Sequence, residues 1–284
     1  MSAPTPKQKL RLITYLSPGV ALEVFEMVLQ YLESVLDVEA SLIYESRWSG
    51  PPPTRVDPFT DNQVDIAFMC STAFLRLIRD KNQHVELCQA APLHRHPNAL
   101  SRPVYFSDVV VHVDNVAKFK TLHDLKGSRW AYNDTVSLSG NIIVLAELKR
   151  LGVNASFFGN VIQSGGHLKS IEMVLNSTVD GAAIDSNTLQ TFAERFPEKR
   201  KKLAVVTSLG PMPIYPVVFN SRLSAEMKEK ITNALLDMSK SPEWSEKFMS
   251  VNILGYSPID MSLYNRETEI VDLVKNMSIS PAFY

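Results

Sequence analysis

The chain has 284 residues, 45% hydrophobic and 21% charged, ample for a buried core in one large or two medium domains. Its 29 basic and 30 acidic side chains leave no net field to draw in nucleic acid or a membrane surface, so any attraction for an anion has to be local. Cys70 and Cys88 lie in or beside apolar runs and read as reduced core thiols, with neither a disulfide framework nor a metal knuckle in their spacing.

The Pro-rich arm Met1-Ser-Ala-Pro-Thr-Pro-Lys7 has no apolar core of the signal-peptide kind. No run approaches the roughly 18–20 apolar residues of a transmembrane helix. A cytosolic location is expected on these grounds, with a periplasmic or extracellular one if a leader has been removed. On the cytosolic reading, the sequons at Asn133, Asn154, Asn176 and Asn276 are chance matches.

Lys9–Tyr15 alternates like a strand, and Ser17-Pro18-Gly19 turns into a helix with Leu22, Phe25, Val28, Leu29 and Leu32 on its apolar face. Ala40–Tyr44 reads as a second strand, followed by the polar loop Glu45–Pro53. Val64–Met69 is a short buried strand that runs through Ser71-Thr72 into a helix ending near Arg79. Val104–Val111 and Tyr215–Phe219 are expected to cross between two lobes.

The same order of elements restarts near residue 123. His123–Gly127 is a short helix and stop, and Arg129–Tyr132 a strand. Ser137-Leu-Ser-Gly140 opens a helix that stops at Gly152. Phe157-Phe158 with Val161-Ile162 forms another strand, and Ser164-Gly-Gly-His167 begins the next helix. Val179–Ile184 is a strand ending at Asp185-Ser186, and the rest from Ser224 reads as mainly helical.

Gln63–Ser71 and Thr178–Ser186 share Val-Asp-x-Ala, three further residues and a serine, as two related α/β lobes would. The expected fold is therefore α/β and two-lobed, each lobe a mainly parallel sheet flanked by helices, with a ligand cleft between them. Residues 1–110 with 217–284 would form the first lobe and 111–216 the second.

Three helix starts carry hydroxyls or glycine at the carboxyl ends of strands: Ser71-Thr72, Ser137-Leu-Ser139-Gly140 and Ser164-Gly-Gly-His167. Free N–H groups and the helix dipole let such a start hold an oxyanion without lysine, and glycine removes a Cβ that would bar close approach. Capping alone also explains each serine. His167 reads equally as an anion donor or an exposed helix start. Asp185 reads as a partner for a cation or a protonated oxyanion, or as a cap. Tyr105 is a phenol for the cleft or core, and Arg47-Trp48 a lid or simple packing.

No nucleophile elbow, phosphate-binding P-loop or zinc-protease helix is present. His94-Arg-His96 lacks the further ligands that a metal site needs. A Ser139–His167–Asp185 triad is conceivable, but such triads are recognised by geometry. The balance favours a binding protein over an enzyme, without cofactor or metal.

The ordered set Val104–Val111, Asp124-Leu-Lys-Gly127, Ser137-Leu-Ser-Gly140, Ser164-Gly-Gly-His167 and Val179–Ser186 resembles the phosphate/phosphite/phosphonate-binding proteins of ABC transporters, type 2 periplasmic binding proteins, from about Leu10 to about Leu236. The resemblance implies a small phosphorus oxyanion as ligand, an ABC permease as partner, and contacts from Ser137, Ser139, Gly140, Tyr105, His167, Asp185, Ser71 and Thr72. Leu138 stands where a hydroxyl is common, the first-lobe loop reads Met-Cys-Ser-Thr, and Arg47-Trp48 alters the lid. The alternative is a cytosolic enzyme of this fold acting on menaquinone or thiamine precursors.

Overall fold

The computed structural model describes residues 7–15 and 20–277. The N-terminal arm before Lys7, the Ser17-Pro18-Gly19 turn and the C-terminal stretch 278–284 lie outside the described residues.

In chain order the first elements are β1 (Gln8–Tyr15), α1 (Leu22–Val35), β2 (Val38–Glu45), β3 (Ile66–Phe68), α2 (Ser71–Arg79), β4 (Val85–Leu87) and β5 (Ala90–His94). Then follow β6 (Val104–His112), β7 (Arg129–Tyr132), α3 (Ile143–Arg150), β8 (Asn160–Gln163), α4 (His167–Leu175), β9 (Gly181–Asp185), α5 (Ser186–Arg195) and α6 (Pro197–Arg200). β10 (Leu203–Pro213), β11 (Val217–Asn220), α7 (Ala225–Asp237), α8 (Pro242–Met249), β12 (Ile253–Pro258) and α9 (Asn265–Val274) complete the chain.

These elements form two compact α/β units. Among the described residues the first holds the chain up to Arg95, Ser101–Pro103 and Pro213–Tyr264; the second holds His96–Leu100, Val104–Met212 and 265–277. The crossing near Val104 was expected, but β6 belongs wholly to the second unit. So does α9, although the expected boundary kept residues 217–284 together. The Lys149 ammonium on α3 donates to the Leu273 carbonyl at the end of α9 at 2.7 Å, and α3 packs against α9.

The first unit is built on a sheet of order β2-β1-β3-β11-β4, in which β1 runs parallel to β2 and β3 while β11 is antiparallel to β3 and β4. The second has the order β10-β6-β9-β7-β8, with β7 parallel to β8 and β9, and β6 antiparallel to β9. Apolar side chains on the sheet faces and the inner faces of the helices supply each core. Phe59, Met69 and Phe74 fill the first, and Ile171, Val174 and Ile184 the second.

The repeated Val-Asp-x-Ala segment has a physical reason. β3 and β9 are the central strands of their sheets, and each runs into a helix whose first residue is the repeated serine, Ser71 or Ser186. The repeated aspartate does the same work twice. Asp65 accepts from the Arg11 amide and guanidinium at 2.8–2.9 Å, and Asp180 from those of Arg129 at 2.8–3.2 Å. In each case an arginine on the parallel neighbour strand is clamped to the entry of the central strand, which fixes its register.

β12 was not expected within a helical tail. It pairs antiparallel with β5 across an irregularity at Gly255, whose φ of +153° suits only glycine. Gly152, by contrast, terminates α3 as predicted, with φ +72° just beyond the cap residue Leu151.

Candidate functional site

In the second unit the C-terminal ends of β7 and β9 set the site. Asn133 follows β7, and its carbonyl accepts from the Gly165 amide at 3.0 Å, which fixes the turn leading into α4. The expected helix start at Ser137 is a π turn over Leu138–Ile142: the Ile142 amide reaches back to the Ser137 carbonyl at 2.9 Å before α3 begins. The Ser137 hydroxyl caps this turn by accepting from the Gly140 amide at 3.1 Å. Ser107 on β6 donates to the Ser139 carbonyl at 2.6 Å and anchors the turn to the sheet. Leu138, in the position where a hydroxyl is common, turns into the core at 2% exposure.

His167 is the first residue of α4. Its Nε2 lies 3.2 Å from Ser139 Oγ and 3.2 Å from Asn133 Nδ2, while Nδ1 faces the β9 backbone, with the Asp185 amide at 3.4 Å and a hydrogen bond to Ala183. Burial holds the imidazolium down to about pKa 4, against the opposing pull of the Ala183 hydrogen bond. At neutral pH the ring is uncharged. Ser139, His167 and the two helix starts thus form one neutral, donor-rich corner.

Asp185 is the residue that ends β9. Its Oδ1 accepts from the Asn187 and Thr188 amides at 2.8 and 3.2 Å, so it caps α5, one of the two roles open to it from sequence. Burial pushes its carboxyl up to about 7 despite those two bonds, with the nearby Asp108 adding a smaller push. The conceivable triad is not assembled from side chains. Ser139 and His167 do meet, but only the backbone amide of Asp185 lies near the ring, 3.4 Å from Nδ1, while its carboxylate accepts from the amides that open α5.

Tyr105 is buried in β6 and has the same strand parity as Ser107, the residue beneath the π turn. On the other parity, Phe106 stacks on His96 with centroids 4.3 Å apart, and Asp108 Oδ1 lies 3.5 Å from His96 Nε2. His94 belongs to the first unit, where it meets the Tyr215 hydroxyl at 3.3 Å. The two imidazoles of His94-Arg-His96 therefore serve different units. Among the described residues no group of three or more His, Cys, Asp or Glu could hold a metal ion.

Gly140 acquires a different rationale from the sequence-level one. The Asn133 amide, rather than a ligand, occupies the space where a Cβ would stand. Gly140→Ala is expected to force that amide away and to cost about 1–3 kcal/mol by overpacking, read as a lower urea midpoint. At the level of sequence Asn133 stood out only as a sequon; its position one residue past a strand, ahead of a glycine-bearing helix start, was the available signal for the site.

In the first unit, Ser71 and Thr72 occupy the first two positions of α2 and neither is its cap residue. That residue is Cys70, which makes no side-chain capping bond; its thiol lies 3.1 Å from Thr72 Oγ1. The start of α4 after Gly166 likewise has no side-chain cap. The Cys70 amide donates to the Ser49 carbonyl at 2.9 Å, which ties the Arg47-Trp48 turn to the start of α2. Arg47 is held on Glu45 at 3.1 and 3.3 Å, and Trp48 is 41% exposed. Neither cysteine is in a disulfide: Cys88 is buried and raised to about 11 by that burial, and Cys70 is half-buried.

Known proteins resemble this chain over most of its length. The phosphonates-binding periplasmic protein of Escherichia coli strain K12 is 26% identical over 239 residues, 82% of this chain and 66% of that protein, so the match spans just under two thirds of the relative's length. PhnD1 from Prochlorococcus marinus, solved in complex with methylphosphonate, superposes with TM-score 0.70 at 16% identity over 95% of this chain and 99% of its own. A binding protein component of an ABC phosphonate transporter from Pseudomonas aeruginosa gives TM-score 0.68 at 18% identity over 93% and 85%. These superpositions establish the fold, the mixed α/β fold of the two-lobed periplasmic binding proteins. Residues 10–264 match the family described as the ABC transporter, phosphonate, periplasmic substrate-binding protein, and the chain belongs to that family.

Proposed function

We propose that this protein binds a small phosphorus oxyanion, a phosphonate first among them, and presents it to an ABC permease. The observation that carries the reading is the neutral corner of the second unit. There Ser139 Oγ and the ring of His167 stand 3.2 Å apart beside a helix start with no side-chain cap. Amides and hydroxyls bind an oxyanion through the helix dipole and short donor bonds, and they release it more readily than a lysine pair would.

Ser139, Asp185 and Tyr105 are the proposed anion contacts of the second unit, and Ser137, Gly140 and His167 build the corner that holds Ser139. In the first unit the proposed anion-facing element is the start of α2, with Ser71 and Thr72, and Arg47-Trp48 is the adjoining turn. Asp185, pushed up to about 7, is suited to accept a hydrogen bond from a protonated phosphonate oxygen. A periplasmic location goes with this role. The cytosolic expectation loses its support because the family is described as periplasmic.

Calorimetry against phosphate, phosphite, methylphosphonate and 2-aminoethylphosphonate tests the reading. Saturable heat from at least one phosphonate, with phosphate weaker, is expected. A folded protein that gives no heat with any of the four refutes the phosphorus assignment.

A further inference from the structure

We infer that Asn133 is a positioning residue that occupies the Nε2 lone pair of His167 and thereby frees the Ser139 hydroxyl to donate to the bound anion. The inference rests on the phosphonate reading above and assigns the site a residue outside the contacts proposed there. Two groups converge on Nε2 at the same 3.2 Å, the Asn133 amide nitrogen and Ser139 Oγ. A neutral imidazole has one ring nitrogen with a lone pair and one with a hydrogen, so Nε2 accepts one good hydrogen bond. The amide nitrogen can only donate. The hydroxyl rotates, and can donate to the ring or away from it. Asn133 therefore takes the lone pair, and Ser139 keeps its O–H for a ligand oxygen.

The rest of the corner enforces this arrangement. The Asn133 amide is wedged against Gly140, where no Cβ fits, and its Oδ1 is buried there without a hydrogen-bond partner. Turning the amide over would bury two donors in that place instead of one acceptor, the more costly exchange. It would also set Oδ1 against Nε2 and require the ring hydrogen there. With Nε2 accepting, Nδ1 carries the hydrogen, and the Ala183 carbonyl receives it. The competing state has hydrogen on Nε2 and Nδ1 accepting from the Asp185 amide, a contact of 3.4 Å, long for an N–H donor. Ser139 is itself held by the Ser107 bond to its carbonyl, so its hydroxyl stays in place whichever way it points.

The test combines a spectroscopic readout with a double-mutant cycle. Nitrogen NMR of the His167 ring in the ligand-free protein is expected to report hydrogen on Nδ1, and Asn133→Asp is expected to move it to Nε2 or to charge the ring. Hydrogen on Nε2 in the native protein overturns the proposal, and this readout needs neither ligand nor variant. For methylphosphonate, Asn133→Ala is expected to weaken binding about tenfold, because Ser139 then turns its O–H onto the vacant lone pair. Asn133→Ala combined with Ser139→Ala is expected to bind as Ser139→Ala alone does, since the first acts through the second. Additive losses, or an Asn133→Ala affinity equal to that of the native chain, sink the inference. If the native chain binds no phosphonate while its ring carries hydrogen on Nδ1, the functional reading fails and the Asn133–His167 bond stands.

Discussion

Ser139→Ala is expected to weaken methylphosphonate binding by about 10- to 100-fold, the loss of a charge-assisted hydrogen bond worth about 1.5–3 kcal/mol. Stability should move by less than about 1 kcal/mol, because the Ser139 side chain is not a cap and its carbonyl bond to Ser107 survives the change. Ser137→Ala is the contrasting case. It removes the hydroxyl that accepts from the Gly140 amide, so about 1 kcal/mol of stability goes while affinity changes less. Calorimetry and urea denaturation on the two variants separate the roles. Equal affinity losses, or a Ser139→Ala protein that binds as the native chain does, would remove Ser139 from the anion's contacts.

The two serines show where the sequence could be read and where it could not. Both stand in one Ser-Leu-Ser-Gly run, and local pattern alone gives each the same two readings, donor or cap. The π turn separates them: it puts Ser137 at the cap position and carries Ser139 over to His167 on α4. A π turn depends on what presses against it, here the Asn133 amide at Gly140, and such tertiary contacts leave little trace in local periodicity. Strand-helix-strand order, by contrast, is written in short-range apolar spacing, and β1, β7, α2 and the Gly152 stop all follow it.

β12 escaped for a related reason. Its alternation is broken by Gly255 and by Leu254, which is left 36% exposed, and its pairing with β5 joins segments about 160 residues apart. The Asp of the repeated Val-Asp-x-Ala was legible as a repeat but not as a clamp, because its arginine lies on another strand in both units. Asp185 was legible as one of two things, and its cap shows only in the distances to Asn187 and Thr188.

Those buried groups also give stability a pH dependence with opposing parts, and His94 belongs to its acid side. The ring is 4% exposed, and burial pulls it down to about 4 against a backbone hydrogen bond to Asn252. The folded state therefore prefers neutral His94, whereas the unfolded chain takes up a proton near pH 6.5. Between 6.5 and 4 the unfolded state binds more protons, so stability falls as pH falls, by up to about 3 kcal/mol from this one residue. His167, also near 4, adds in the same direction.

Asp185 works the other way. Raised to about 7, it holds a proton in the fold that the unfolded chain has lost above about 4, so its contribution is full in acid and disappears as pH rises through 7. Urea denaturation of the native protein is therefore expected to show lower stability at pH 5 than at pH 6.5. Asp185→Asn retains a capping side chain, so it should steepen that acid loss and make the protein more stable than the native chain at pH 8. His94→Gln should flatten the acid limb while lowering stability at neutral pH through lost packing. An acid limb unchanged in His94→Gln would mean that the ring reaches solvent when it titrates. An Asp185→Asn protein less stable than the native chain at pH 8 would mean that the buried carboxylate is ionised at no cost, held by the Asn187 and Thr188 amides alone.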